Sequence, residues 1–539
     1  MKTLKGNGVS SGVVFGPMHI LKRDNKKQVA VKINDIDSEI LRFRKAQKQA
    51  TAQLGQLYID TLKTLGKKHS ILFQIHQMML EDLDYTETII KIIEDEKVNA
   101  EYAVEQTANQ FSEMFAAMDD PYMRERASDV VDISRRVIQI LEGKTGDSLE
   151  FDLPVILVAD DLVPSETARL DRERVLAFIT SKGSTNSHTA IFARTMGIPA
   201  VVGLGDFIDD DLEGRDVFVD GNTGTVYIDP DDETMMRLSH QMDFEQEHKE
   251  YIEKFRGQKI ITKHGKEMLV CANIGSPDDT PLAISGDADG IGLFRSEFLY
   301  LGRDTYPTEE EQYEAYREVA QAMDGKTVVV RTLDIGADKK VDYFDLPEEE
   351  NPAMGLRAIR ICLTRPDIFR VQLRALYRAS AHGKIAIMFP MIISVDEVIQ
   401  IKKICTKICD ELRNEKIPFD ENIELGIMIE TPAAAVISDL LAKEVDFFSI
   451  GTNDLTQYVL AVDRQNPDVE AFCDTHHEAV MRLIELTAKN AHKAGIWVGI
   501  CGELGGDLTL TDRFAEMGID ELSVTPNKIL EIKAKLLDR

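Results

Sequence analysis

The sequence predicts a multidomain α/β protein. A small α/β domain carries an inserted α-helical bundle and is followed by a (β/α)8 barrel. Three observations carry this reading. Apolar residues recur at helical spacing from about Ile33 to Leu141. Short β-branched runs flank that stretch on both sides. From Glu267 onward, eight short apolar runs alternate with helical pattern, as buried parallel strands do.

Taken in order, residues 6–21 read as a Gly-rich turn and one short strand at Val13-Val14-Phe15. The helical stretch shows Ile40, Phe43, Ala46 and Ala50, then Leu54, Leu57 and Tyr58, on one face. Breaks at Gly66 and at Asp119-Asp120-Pro121 divide it into antiparallel helices. It holds no glycine-rich phosphate loop and no convergent catalytic groups, so it reads as a binding module. Strand pattern resumes at Val155–Val158, Val175–Ile179, Val201-Val202, Val217–Val219 and Val226–Ile228. Asp220-Gly221-Asn222-Thr223-Gly224 marks a hairpin between the last two. The strand at 13–15 belongs with these, which makes the bundle an insertion. A charged, helix-prone connector runs from about Asp231 to Lys254. The predicted domains are 1–30 with 145–230, the insertion 31–144, a linker 231–257, and the barrel 258–539.

The eight barrel runs are Met268–Ala272, Gly290–Phe294, Val328–Leu333, Ile385–Pro390, Leu425–Ile429, Phe447–Gly451, Trp497–Cys501 and Glu521–Val524. Catalytic groups of such barrels sit just after the strands. Here Arg295, Arg331, Glu430, Asn453-Asp454 and Cys501-Gly502-Glu503 fall at those places. Polar residues at strand ends are often caps, but caps are seldom arginines and carboxylates on so many strands.

A length of 539 residues suits three or four domains, and 43% hydrophobic with 29% charged residues suits a soluble globular chain. The net charge of −30 argues against nucleic acid or an anionic membrane as main partner. No apolar run approaches the ~20 residues that span a bilayer. Met1-Lys2-Thr3-Leu4-Lys5 leads into no signal-peptide core, and six scattered cysteines fit a reducing cytoplasm. Cys405 and Cys409 share a helix face, but with no further His or Cys pair they do not read as a zinc site.

One histidine stands out. In Gly183-Ser184-Thr185-Asn186-Ser187-His188-Thr189-Ala190 it sits where a polar, glycine-led turn becomes a helix. Unpaired N–H groups and the dipole at a helix start favour negative charge, so a phosphoryl group on His188 would be offset there. Glu430 and Asp454 follow neighbouring strands, and two carboxylates completed by water and substrate oxygens suit Mg²⁺. Arg295, Arg331 and Arg464 offer planar donors for phosphate and carboxylate together. Phosphoenolpyruvate is an anion of that kind. Cys501, at the barrel mouth with an ordinary pKa of ~8.5, could protonate an enolate carbon, with Glu503 tuning it.

These segments resemble the Enzyme I family of the bacterial phosphotransferase system, the phosphoenolpyruvate–protein phosphotransferases. The likeness rests on Pro164-Ser165-Glu166-Thr167, Ser187-His188-Thr189 through Arg194, and Gly292-Leu293-Phe294-Arg295-Ser296-Glu297. It extends to Arg331-Thr332-Leu333-Asp334-Ile335-Gly336, Met388-Phe389-Pro390-Met391 and Glu430-Thr431-Pro432-Ala433-Ala434. Ser449 through Tyr458 and Cys501-Gly502-Glu503 complete it. The resemblance implies a swivelling phosphohistidine domain ahead of a TIM barrel. By it, His188 is phosphorylated by phosphoenolpyruvate, with Thr167 and Arg194 beside it. Arg295, Arg331, Asn453, Asp454 and Arg464 meet the substrate, and Arg357 matches a further arginine of that site. Glu430 and Asp454 hold Mg²⁺, and Cys501 donates the proton that yields pyruvate. The carrier HPr docks on the insertion around His76, Met78 and Asp82, and the chain forms a homodimer through the barrel. The family's usual Gly-Gly before the histidine is Gly183-Ser184 here, and Asn186 replaces Thr. Lys67 and Lys68 stand where some members are acidic. Pyruvate–phosphate dikinases and phosphoenolpyruvate synthases share the histidine domain and barrel, but they need a large nucleotide-binding domain ahead of them.

Overall fold

The computed structural model describes residues 1–21, 27–64, 67–118, 121–144, 151, 153–167, 170–171, 174–185, 187–262, 265–336 and 341–538. It divides into two compact units, Met1–His248 and Lys249–Arg539.

The first unit is built on one eight-stranded sheet. Its strands are β1 (Lys2–Lys5), β2 (Asn7–Ser10), β3 (Val13–Ile20), β4 (Val155–Ala159), β5 (Val175–Thr180), β6 (Ala200–Val202), β7 (Asp216–Asp220) and β8 (Thr225–Ile228). They lie in the order β1-β8-β7-β3-β4-β5-β6-β2. The central β3 to β6 run parallel, while β7, β8 and β1 on one side and β2 on the other are antiparallel. The expectation of a turn and one strand over residues 6–21 is therefore corrected. Two strands, β1 and β2, precede β3, and they form the two edges of the sheet. Edge strands pair through backbone on one side only, so Lys, Asn and Gly are tolerated there and the apolar alternation is lost. Gly8 is fixed by close approach, since a Cβ there would lie 2.2 Å from the Gly221 carbonyl oxygen.

The chain leaves the sheet after β3 and returns in β4, its parallel neighbour, with Met18 opposite Ile156. Between them lie α1 (Ile36–Thr64), α2 (Lys67–Glu81), α3 (Leu83–Glu96), α4 (Ala100–Ala116) and α5 (Pro121–Leu141). Phe43, Ala50 and Leu54 of α1 pack on Phe73, Leu80, Ile89, Ile93, Val104, Ile133 and Val137 to form its core. The predicted breaks at Gly66 and Asp119-Asp120 lie outside the described residues. Two further breaks were not foreseen. Asp82 caps α3 by accepting the Tyr85 N–H at 3.0 Å, and Lys97 ends α3 in the left-handed region. After β4 come the short α6 (Pro164–Thr167) and α7 (His188–Met196). The predicted connector is helix α8 (Asp232–Glu253), and the division between the units falls within it.

The second unit opens with β9 (Ile260–Ile261) and closes a parallel barrel. Its strands are β10 (Glu267–Ile274), β11 (Ile291–Arg295), β12 (Val328–Arg331), β13 (Ile385–Phe389), β14 (Glu424–Ile429), β15 (Phe447–Ile450), β16 (Trp497–Ile500) and β17 (Glu521–Val524). Each overlaps one of the eight predicted runs. β10 pairs with both β11 and β17, which seals the ring. Outward-facing apolar residues meet the surrounding helices in one continuous core. Inside, Leu293, Val329, Ala386, Met388, Met428, Phe447 and Cys501 pack together. The rings of Phe447 and Trp497 stack there with centroids 4.4 Å apart and planes 5° from parallel.

Gly426 makes room for that stack, because a Cβ on it would sit 2.4 Å from the Phe447 ring. Gly426→Ala should force the ring aside and destabilise the barrel by roughly 1–3 kcal/mol, the usual cost of overpacking. Trp497 is the only tryptophan in the chain, so its fluorescence during urea unfolding measures this directly. An unchanged midpoint and spectrum would show that the ring does not fill this space.

Candidate active site

At the C-terminal ends of the barrel strands lies a cavity of ≈ 1000 Å³ whose lining includes Arg295, Arg331, Arg357, Glu430, Asp454 and Arg464, with Cys501. Arg331 is the last residue of β12 and is buried. Its guanidinium contacts Glu297 and lies 3.0 Å from Asp334. The other oxygen of Asp334 accepts from Arg357 at 2.9 Å, so one buried carboxylate clamps two guanidiniums. Burial alone would weaken the charge on both arginines. The adjacent carboxylates, Glu297 and Asp334 for Arg331 and Asp334 for Arg357, override it and hold both pKa values above the ordinary value. The Nε groups of both are buried with no hydrogen-bond partner among the described residues. Ala358, next to Arg357, has φ +51°, a strained conformation held by its N–H to the Ile335 carbonyl at 2.9 Å.

Glu430 follows β14 directly and is buried. Its Oε1 accepts the Met391 N–H at 2.6 Å, and Met391 holds a φ of +59°. Its Oε2 is buried without a hydrogen-bond partner among the described residues. Burial, then the charges of Asp454 and Asp334, push the Glu430 carboxyl up to about 8, against the pull of Arg331. Asp454 lies in the first turn of the helix Thr452–Leu460 that follows β15, with an oxygen 3.6 Å from Arg464 Nη2. β14 and β15 are parallel neighbours, as predicted. Arg295 ends β11 and is exposed. Asn453 lines the cavity, but its amide donates to Glu503 at 3.0 Å and its oxygen accepts the Glu503 N–H at 2.9 Å.

Two expectations about Cys501 are corrected. Its thiol is buried, and loss of water contact pushes it up to about 11 rather than leaving it ordinary. The groups that act on it are Ser449, Arg331, Glu430 and Glu521. Glu503, expected to tune it, is instead engaged with Asn453. The turn after the cysteine needs glycine, because a Cβ on Gly502 would stand 1.9 Å from Thr452 Oγ1.

In the first unit, His188 is the first residue of α7. Ser187 caps the helix by accepting the Ala190 N–H at 3.3 Å. Arg194 reaches back to the Thr185 carbonyl at 2.9 Å, which ties the helix to the loop before the histidine. Thr167 is the buried end of α6, which packs against α7. Asn186 lies outside the described residues. On the insertion, Met78 and Asp82 are exposed, but His76 is not. It is enclosed in the bundle, 3.3 Å from Asp129 and 4.0 Å from Asp132, so its predicted place on a docking surface is corrected.

Over residues 249–539 the chain matches the PEP-utilising enzyme, PEP-binding domain. Residues 5–126 match the PEP-utilising enzyme N-terminal domain, and 151–224 the mobile domain. The phosphoenolpyruvate-protein phosphotransferase of Staphylococcus carnosus is 42% identical over 99% of this chain and 93% of its own. That of Listeria innocua is 42% identical over 100% of this chain and 95% of its own. The chain belongs to the phosphoenolpyruvate-protein phosphotransferase family. A solution structure of an Enzyme I protein aligns at 33% identity and a TM-score of 0.39, covering 45% of this chain and 99% of that one.

For this phosphotransferase-family chain, sequence reasoning missed the counter-ions. Glu297 and Asp334 sit two and three residues beyond Arg295 and Arg331, and only the fold shows that they clamp guanidiniums. The positive φ of Met391 and Ala358 left no sequence signal at all. Among the described residues, no group of three or more His, Cys, Asp or Glu side chains is arranged to hold a metal. Glu430 and Asp454 form a two-carboxylate pair, and the unpartnered Oε2 of Glu430 fits a cation that keeps most of its waters.

The raised pKa of Glu430 sets a pH dependence. The folded state keeps its proton up to about pH 8, while the unfolded chain releases it near the ordinary 4.5. Stability from this group is thus full below the lower value and lost as pH rises through the window. Glu430→Gln keeps an acceptor for Met391 and never ionises. Chelator-treated Glu430→Gln should exceed the parent in stability by roughly 1–3 kcal/mol at pH 9, with the gap closing towards pH 5. Equal urea midpoints at pH 9 would show that Glu430 is not held protonated by its surroundings.

Proposed function

We propose that this chain takes the phosphoryl group of phosphoenolpyruvate onto its own His188 and passes it to a histidine of the carrier HPr, releasing pyruvate. This is the first step of phosphotransferase-system sugar uptake. The observation that carries the reading is the convergence of arginines, two carboxylates and a protonated thiol in one cavity at the C-terminal face of the barrel.

The residues divide the work. Arg295, Arg331 and Arg464 bind the phosphate and carboxylate of the substrate, and Arg357 adds a fourth guanidinium on the wall they share. Asn453 braces the Glu503 loop beside them. Glu430 and Asp454 would hold Mg²⁺, which when bound offsets charge on the phosphate oxygens. A neutral ring nitrogen of His188 attacks phosphorus, and the bond from phosphorus to the enol oxygen breaks. The electron pair stays on that oxygen as the enolate of pyruvate. Cys501 gives its proton to C3, forming the methyl group, and the thiolate is reprotonated from solvent. A thiol held up to about 11 keeps its proton and stays neutral throughout the neutral range. The N-terminus of α7, with Thr167 and Arg194 nearby, offsets the charge on phosphohistidine.

In this reading residues 1–30 and 145–230 carry the histidine, 31–144 dock HPr through the Met78 and Asp82 face, 231–257 are the linker, and 258–539 bind substrate. The barrel also pairs two copies, for which the exposed Val436, Leu440 and Phe472 offer apolar surface. A cytoplasmic location follows from the pathway, and no helix is long and apolar enough to cross a membrane among the described residues. The acidic net charge of −30 suits a basic carrier and no nucleic acid.

Incubation with phosphoenolpyruvate and Mg²⁺ should place acid-labile phosphate on His188, mapped by mass spectrometry under alkaline handling. His188→Ala should lose it entirely while keeping its circular dichroism. Appreciable labelling of that variant would overturn the assignment.

Cys501→Ser separates proton transfer from phosphoryl transfer. The arginines and the carboxylates remain, so the KM for phosphoenolpyruvate should hold. A hydroxyl is a far poorer acid, so turnover to pyruvate should fall by about 10²-fold or more. With stereospecifically tritiated substrate in heavy water, the methyl group formed should lose its chirality in the variant. Retained chirality at an undiminished rate would show that another group is the donor.

A further inference from the structure

His76, which the function above leaves unused, lies in a buried polar set that runs out of the insertion. It is fully buried on α2, two residues before the exposed Met78. Its ring nitrogens lie 3.3 Å from Asp129 and 4.0 Å from Asp132, both buried on α5. Arg126, one turn earlier, donates to Asp129 at 3.0 Å. Phe73 meets the imidazole edge-on, with centroids 6.1 Å apart. The other oxygen of Asp132 accepts the Ser165 hydroxyl at 2.8 Å. Ser165 is buried on α6, so this bond leaves the insertion and enters the domain that carries the phosphoryl acceptor. The turn before α6 is fixed by its own bonds, Leu162 N–H to Asp161 at 2.9 Å and Val163 N–H to Glu166 at 3.1 Å. Thr189, the buried residue after His188, holds its hydroxyl 3.2 Å from Asp161 Oδ1 and 3.4 Å from the Leu162 carbonyl. The segment from Asp161 to Thr167 therefore bonds α5 on one side and α7 on the other. Buried carboxylates beside an imidazole cost stability that apolar side chains of that size would not.

We propose that His76, Asp132 and Ser165 form a positioning brace for phosphoryl delivery, holding the carrier-docking helices in fixed relation to the helix that bears His188. The inference rests on the function proposed above, and it concerns the second transfer only. In that reading phosphoenolpyruvate is bound by barrel residues, and the brace adds nothing to their site. Delivery differs, because the carrier docks on the Met78 and Asp82 face while the phosphoryl group leaves from α7. A docked histidine meets phosphorus at bonding distance only if α2 and α7 keep their relation. His76 ties α2 to α5, and the Ser165 hydroxyl ties α5 to α6. In the step itself the bond from the His188 nitrogen to phosphorus breaks, and its electron pair stays on that imidazole. A ring nitrogen of the carrier's histidine bonds phosphorus in its place. The three positioning residues touch none of these atoms.

The test starts from the full chain, labelled on His188 with phosphoenolpyruvate and Mg²⁺ and then mixed with HPr in rapid quench. Ser165→Ala removes only the hydroxyl that Asp132 accepts. Transfer at saturating HPr should slow about tenfold or more, as small misplacements of reacting groups cause. The HPr concentration for half-maximal rate, the rate of His188 labelling and the spontaneous hydrolysis of the phosphohistidine should each stay within about twofold. Ser165→Thr keeps the hydroxyl and should restore transfer. Asp132→Asn keeps the size, but a neutral amide holds the hydroxyl and the imidazole more weakly, so transfer should slow in the same direction. It serves as the test if Ser165→Ala does not fold. His76→Gln, which loosens α2 from α5, should act likewise. Ser165→Ala combined with Asp132→Asn should slow transfer by less than the product of the single effects, because both weaken one bond. Unchanged transfer in any folded single variant other than Ser165→Thr, effects that multiply in the combined one, or equal slowing of labelling and delivery overturns the proposal. Absence of labelling, or of transfer to HPr, in the unaltered protein would instead overturn the function on which it rests.

Discussion

Taking a guanidinium out of water costs several kcal/mol unless charged oxygen surrounds it, and Arg331 is buried at the floor of a cavity. Its position is tolerable only because Glu297 and Asp334 meet it from the turns beyond β11 and β12. Asp334 then has a second oxygen to satisfy, and Arg357 takes it. Glu430 stands on the far side with its carboxyl pushed up to about 8, and Arg331 offsets part of the cost of ionising it there. Remove any one of these and the rest become uncompensated charge. The strand ends of the barrel are where such a set can be held, since each contributor leaves a different rigid strand. Strained φ values lie beside this set, at Met391, which binds Glu430, and at Ala358, which follows Arg357. Each turns a backbone N–H to an oxygen that regular geometry would miss.

Most of the barrel was legible because parallel strands buried on both faces must be short, continuous apolar runs, whatever the loops do. Residues such as Val328–Arg331 and Phe447–Ile450 admit no other reading once eight of them alternate with helices. The edges of the first sheet were illegible for the converse reason. Lys2–Lys5 and Asn7–Ser10 are held by backbone pairing and by glycine contacts with the Asp220–Gly224 hairpin, so their side chains carry little pattern. The site was legible as residue types at strand ends, since an arginine there needs a reason. Its electrostatics were not. Whether Cys501 is ordinary or pushed up to about 11, and whether His76 faces a partner or two aspartates, depend on burial. Burial is a property of what packs against the residue from elsewhere in the chain.

The two halves of the proposed chemistry ask opposite things of the fold, and in that reading each falls to a different unit. A phosphoryl acceptor must be presented where a partner can reach it, so its charge has to be offset locally. The N-terminus of a helix does this with backbone alone, and in the proposed reaction the capping Ser187 and Gly183, with its φ of +104°, would serve His188 in that way. Activating an enol phosphate needs the reverse. Several fixed charges must converge in a space with little water, where each acts at short range and full strength. That is the cavity of the barrel, in which Arg331, Arg357 and Glu430 are all buried. In the proposed reaction the thiol belongs on the barrel side by the same logic. It must stay protonated while carboxylates stand nearby, and low dielectric together with neighbouring negative charge achieves this without a dedicated base. A histidine fixed in that cavity could not also deliver its phosphoryl group to a carrier. A thiol placed at the helix start would be driven toward thiolate by the dipole and lose the proton it has to give.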